Sequence, residues 1–186
     1  MLVMAWLNCR QCTTRFLVNK NISVCRRVLA STFVVSVLLT VLGCSSPQLA
    51  PRSTFVLLDG SKQTTADFKG KVTLVNFWAT SCVTCVAEMP KIISTYNKYH
   101  AKGYDTVAVA MSYDPPSYVV NYAQSRALPF KVAIDNTGAV AKAWGDVQLT
   151  PTTFVLNKRG EIVKKYVGEP DFAALHQLIE KLLAAS

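Results

Sequence analysis

An α/β fold, with a central mixed β-sheet flanked by helices on both faces, is what the sequence from Pro51 onward predicts. Three observations carry the prediction. Val72 to Phe77 and Thr106 to Met111 are charge-free apolar runs of the kind that fill buried central strands. Between them Val86, Met89, Ile92, Ile93, Tyr96 and Tyr99 or His100 recur at helical spacing. The chain closes on an amphipathic stretch, Asp171 to Ala185.

The remaining elements follow from turns and periodicity. Phe55 to Leu58 reads as a strand running into the Asp59-Gly60 turn, and Phe68 to Lys71 forms a second turn. Pro116 to Ser125 and Thr137 to Trp144 are short helices. Phe154 to Leu156 and Ile162 to Val167 are strands joined around the Asn157 to Gly160 turn. Asp171, next to Pro170, is suited to accept a backbone hydrogen bond and start the last helix. The order β, β, α, β, α, α, β, β, α therefore gives a mixed sheet with helical layers.

Length and charge narrow the function. The chain has 186 residues, room for one domain and an appendage. Its formal charge of +9 divides unevenly. Up to Cys44 the five basic residues Arg10, Arg15, Lys20, Arg26 and Arg27 meet no acid. Beyond it fifteen basic residues face eleven acidic ones, leaving +4, scattered and without a dense Arg/Lys cluster. That pattern is a solvated surface, and no nucleic-acid partner is expected.

Residues 1–44 read as an export signal. Arg26-Arg27 precede the uncharged run Val28 to Gly43, and Cys44 follows directly. This junction resembles the lipobox of bacterial lipoproteins, in which the Cys is acylated. The resemblance implies lipidation at Cys44, a tether over 45–54 and a folded domain over 55–186. A Ser at position 45 is compatible with outer-membrane sorting. The competing expectation, an uncleaved single-span N-terminal anchor, normally wants about 20 apolar residues, more than this run supplies. Either way the domain lies on the extracytoplasmic face of a membrane. Cys9 and Cys12 have redox or metal spacing, but no second ligand pair follows them in the segment, and they are assigned no chemistry.

The chemistry is expected at Cys82-Val83-Thr84-Cys85, at a strand-to-helix junction. A helix N-terminus stabilises a thiolate on the first cysteine, making Cys82 the natural nucleophile and Cys85 the resolving thiol. A structural disulfide is the alternative, but so small a loop stabilises little through chain entropy. No metal is expected, because no second C-x-x-C or paired His accompanies the pair in the exported domain.

Asn76-Phe77-Trp78-Ala79-Thr80-Ser81-Cys82-Val83-Thr84-Cys85, then Glu88-Met89-Pro90, then Thr150-Pro151-Thr152-Thr153-Phe154 resemble the TlpA-like branch of the thioredoxin superfamily. The resemblance spans about Phe55 to the C-terminus. It implies a thioredoxin-like fold and an extracytoplasmic thiol-disulfide oxidoreductase. Such a protein needs no cofactor beyond its redox-active disulfide. Its partners are disulfide-containing exported proteins and a membrane thiol donor, in roles of the cytochrome c maturation or copper-site assembly type. A monomer is expected.

By the same resemblance Trp78, Thr150 and Pro151 line the substrate side, Pro151 being the cis-proline facing the Cys pair. Pro90 matches the proline of the active-site helix. Glu88 matches an acid that assists proton movement, with a solvated surface charge as its alternative. Asn76 stands where general thioredoxins often carry a buried Asp, so proton transfer is not expected there. Ser81 and Val83-Thr84 depart from the family's usual residues and leave the direction of electron flow open.

Two rival functions remain. A peroxiredoxin would need P-x-x-x-T-x-x-C, yet its proline position holds Val75 relative to Cys82 and Trp78 relative to Cys85. A copper-binding chaperone could pair the thiolates with Met89 or Met111, although both methionines also suit core positions. His100 and His176 are given no role.

Overall fold

The computed structural model describes residues 48–185. Strands β1 (Gln48–Leu49), β4 (Val72–Trp78), β5 (Tyr104–Ala110), β6 (Lys131–Ile134), β7 (Thr152–Leu156) and β8 (Glu161–Val167) form one six-stranded sheet, in the order β1-β8-β7-β4-β5-β6. β4, β5 and β6 run parallel, and β7, β8 and β1 pair antiparallel, so the sheet is mixed as expected. A separate hairpin pairs β2 (Thr54–Val56) with β3 (Lys62–Thr64).

Helix placement follows from connection handedness. The path from β4 through α1 (Val83–Tyr99) to β5, and from β5 through α2 (Pro116–Ser125) to β6, joins adjacent parallel strands twice in the same direction. Right-handed crossovers then place both helices on one face. Met89 and Ile92 of α1, Val119 of α2, and Leu175 and Ile179 of α4 (Phe172–Ala184) share one core with Leu74 and Trp78 of β4. Val75 and Phe77 point the other way, into a second core with Phe55, Phe68, Val109, Trp144 and Phe154. That face is covered by the hairpin, the 3₁₀ turn Thr65–Phe68 and the short α3 (Ala139–Ala143). Strand alternation therefore sends Asn76 towards α1.

Several elements differ from the sequence reading, the short strand β3 among them. β6 was not anticipated, because Lys131–Ile134 offers only four residues between Pro129 and Asp135 and too little periodicity to register. The helix expected over Thr137 to Trp144 shrinks to Ala139–Ala143, starting after Gly138 at φ 71°, where Asp135 accepts from the Val140 and Ala141 amides. The stretch 45–54, expected as a tether, contributes the edge pairing of Gln48–Leu49 with β8. The export segment, Cys44, Cys9 and Cys12 lie outside the described residues.

The last helix starts where the sequence placed it. Asp171 Oδ1 accepts from the amides of Ala173 (2.8 Å) and Ala174 (3.3 Å). Asp171→Ala is expected to cost about 1 kcal/mol. Urea unfolding should show this as a lower midpoint at unchanged slope. An unshifted midpoint would mean that the cap adds nothing to stability.

Candidate redox site

β4 ends at Trp78, and four residues later Cys82 caps α1. Its Sγ accepts the Cys85 amide at 3.1 Å and is disulfide-bonded to Cys85 Sγ, the Cα atoms being 5.2 Å apart. An amide so placed at a helix start favours a thiolate on Cys82 once the pair is reduced. Cys82 is partly exposed and Val83 beside it is 84% exposed, whereas Cys85 is fully buried. Only Cys82 is open to an incoming disulfide.

Across from the pair, the loop before β7 brings the Thr150 carbonyl oxygen to 3.6 Å from Cys82 Sγ. The Thr150-Pro151 bond is cis, as the resemblance implied. Thr150 is partly exposed and Pro151 is buried, so the ledge offered to a partner is the backbone at Thr150. Trp78 is corrected. Expected on the substrate side, it is fully buried and packs on Tyr122, with ring centroids 5.1 Å apart. It supports the turn from below and cannot touch a docked chain.

Glu88 sits on the same face of α1 as Cys85, three residues on, and both side chains are buried. The alternative of a solvated charge is thereby excluded. Oε1 accepts from Asn76 Nδ2 at 2.9 Å, and the same amide donates to Thr153 Oγ1 at 3.0 Å. Oε2 has no partner among the described residues. Burial dominates and raises the Glu88 pKa to about 7, the Asn76 bond offsetting only part of the shift. Glu169 raises it further and Lys91 opposes, but those two residues pair with each other at 2.6 Å.

Asn76, where the resemblance implies no proton transfer, is the residue that holds Glu88. The available signal was a lone amide at the core-facing register of an apolar strand. Tyr113 and Asp114, on the loop after β5, were missed altogether. Tyr113 Oη lies 3.2 Å from Thr150 Oγ1, and Asp114 bonds Thr80 in the turn before Cys82. Neither contact joins residues close in sequence. Pro90 lies within α1, which continues through it to Tyr99, and His176 packs against Tyr99 and Phe172 away from the Cys pair.

The geometry can therefore exchange a disulfide. One sulfur is accessible at a helix start, a second is shielded below it, a backbone ledge lies alongside, and an acid near neutral pKa sits one turn beneath. Comparison with known proteins agrees. The Redoxin family model matches residues 46–179. The thiol-disulfide oxidoreductase ResA of Bacillus thuringiensis subsp. konkukian (strain 97-27) is 35% identical over 133 residues, covering 72% of this chain and 76% of the relative. ResA of Bacillus subtilis (strain 168) is 34% identical over 124 residues, covering 66% and 68%.

Among solved structures, a thioredoxin-type protein from Neisseria meningitidis superposes with a TM-score of 0.70 at 45% identity, over 76% of this chain and 93% of that one. A thiol:disulfide interchange protein of the thioredoxin family from Chlorobium tepidum TLS gives 0.68 at 26% identity, over 75% and 99%. Fold, Cys pair and relatives converge: the chain belongs to the Redoxin family and is a TlpA-like thiol-disulfide oxidoreductase of the thioredoxin superfamily.

Proposed function

We propose that this oxidoreductase works outside the cytoplasm, lipid-anchored through Cys44, as a reductant of disulfides in exported proteins. The supporting observation is the buried Glu88 one turn below Cys85. An ionised carboxylate there opposes a thiolate on the pair. By offsetting part of the thiolate stabilisation that the helix start provides, it lets the couple hold its disulfide more firmly and give up electrons more readily. Roles of the cytochrome c maturation or copper-site assembly type fit such a donor.

The exchange uses no cofactor beyond the two sulfurs. The Cys82 thiolate attacks one sulfur of the partner's disulfide, forming a Cys82–partner bond and releasing the other partner sulfur as a thiolate. Cys85 loses its proton, Glu88 in its carboxylate form being the nearby acceptor. Its thiolate attacks Cys82 Sγ, closes the Cys82–Cys85 bond and frees the partner's second thiolate. Two electrons have passed to the partner, and a membrane thiol donor returns two to the pair. A substrate strand lies along Thr150 and Pro151 during the attack.

The anchor reading rests on the sequence junction at Cys44, and no helix among the described residues is long and apolar enough to cross a membrane. Equilibration with glutathione buffers should place the Cys82–Cys85 couple near about −270 mV, where reducing dithiol proteins lie. A value near about −120 mV, typical of strong dithiol oxidants, would overturn the reductant reading. Exchange chemistry itself would survive that result.

A further inference from the structure

The turn between β4 and α1 decides where Cys82 sits, and it is short. Ala79, Thr80 and Ser81 carry the chain from the last strand residue to the helix cap, and the turn's own bond is Cys82 amide to Ala79 carbonyl at 3.1 Å. Its other anchor is Asp114. One carboxylate oxygen accepts the Thr80 amide at 2.6 Å and the second accepts the Thr80 hydroxyl at 2.5 Å. Asp114 is buried, so this bidentate clamp is shielded from competing water.

Asp114 is itself held. Its amide donates to the Met111 carbonyl at 2.9 Å, and the Met111 amide donates to the Trp78 carbonyl at 3.0 Å. The loop after β5 is thus stitched to the end of β4 both by backbone and by side chain. The preceding residue, Tyr113, reaches the opposite wall, its hydroxyl 3.2 Å from Thr150 Oγ1. Tyr113 is 57% exposed, so a side chain bonded to the ledge residue is itself open to an incoming partner.

We propose that Tyr113 and Asp114 are positioning residues for disulfide exchange. These adjacent side chains brace the two walls of the site, Asp114 holding the Cys82 turn through Thr80 and Tyr113 holding the ledge through Thr150. Together they set the gap between Cys82 Sγ and the Thr150 carbonyl. A polypeptide that must bond the ledge and present its disulfide to Cys82 at the same time is sensitive to that gap. A small disulfide that needs no ledge is insensitive to it.

This contrast supplies the test, and it rests on the polypeptide-reductant reading above. Thr80→Val, Thr80→Ser and Tyr113→Phe each leave Cys82, Cys85 and the buried carboxylates in place. Each reduced protein would be assayed for insulin reduction and for the rate of attack on 5,5′-dithiobis(2-nitrobenzoate). Thr80→Val, which strips a buried carboxylate oxygen of its partner, should lower kcat/KM for insulin about tenfold, and Tyr113→Phe, whose bond is exposed, about threefold. The small-disulfide rate should stay within about twofold of wild type, since stabilisation that acts only on docking leaves the sulfur's own chemistry unchanged. Thr80→Ser, which keeps the hydroxyl, should restore the insulin rate. Wild-type kcat/KM in both loss variants, or equal losses on both substrates, would overturn the brace while leaving the reductant reading intact. A wild-type protein inert towards insulin would sink both.

Discussion

Cys82→Ser is expected to lower protein-disulfide reduction by about a thousandfold or more, because it removes the sulfur of the Cys82–Cys85 pair that a partner disulfide can reach. The fold should persist, since Cys82 is only partly buried and serine caps a helix start well. Cys85→Ser should behave differently. It leaves the nucleophile intact but removes the sulfur that resolves the intermediate, so the protein should accumulate as a mixed disulfide with its substrate. Insulin turnover and non-reducing electrophoresis separate the two outcomes. Residual turnover in a folded Cys82→Ser protein would reassign the nucleophile, and failure of Cys85→Ser to accumulate an adduct would remove its resolving role.

Glu88 should make the stability of the oxidised protein fall as pH rises. Its pKa is raised from 4.5 to about 7 by burial. Between those values the native state keeps a proton that the unfolded chain has released, so the slope of stability against pH is negative. The stabilisation is complete below the unfolded value and is lost as pH climbs through the native one. Integrated over the shift, the loss is about 3 kcal/mol at most. His176, whose pKa burial lowers, slopes the opposite way, its contribution declining as pH falls below its ordinary value.

Comparison with Glu88→Gln isolates the carboxyl, because the His176 contribution is common to both proteins. The amide fills the same space and can still meet Asn76, but it does not titrate. Urea unfolding at pH 5 and pH 8 should show wild type losing about 2 to 3 kcal/mol more than the variant between the two conditions. Parallel stability curves would mean that the carboxyl titrates near its ordinary value and that the burial argument overstates the shift.

Much of this was legible in one dimension. Val72 to Phe77 and Thr106 to Met111 announced central strands, and the spacing of Met89, Ile92 and Tyr99 announced the helix they pack under. Both signals are local, since side-chain direction repeats every two residues in a strand and every 3.6 in a helix. The Asp171 cap and the placement of Cys82 and Cys85 at a helix start are local for the same reason. β6 escaped because its four residues carry less pattern than a strand needs to stand out, and its pairing with β5 is what defines it.

The sequence by itself determined the order of the main elements, the pairing of one exposed and one buried sulfur within a helical turn, and the family to which the motifs belong. Tertiary structure alone decided that Trp78 is core, that Asn76 holds Glu88, and that Tyr113 and Asp114 bridge the walls of the site. The physical reason is range. Burial, charge solvation and hydrogen bonding depend on which groups meet through space, and the partners here come from distant segments: Thr153 lies 77 residues from Asn76, and Thr150 lies 68 from Cys82. A periodic pattern reports which way a side chain points, but not what is waiting there.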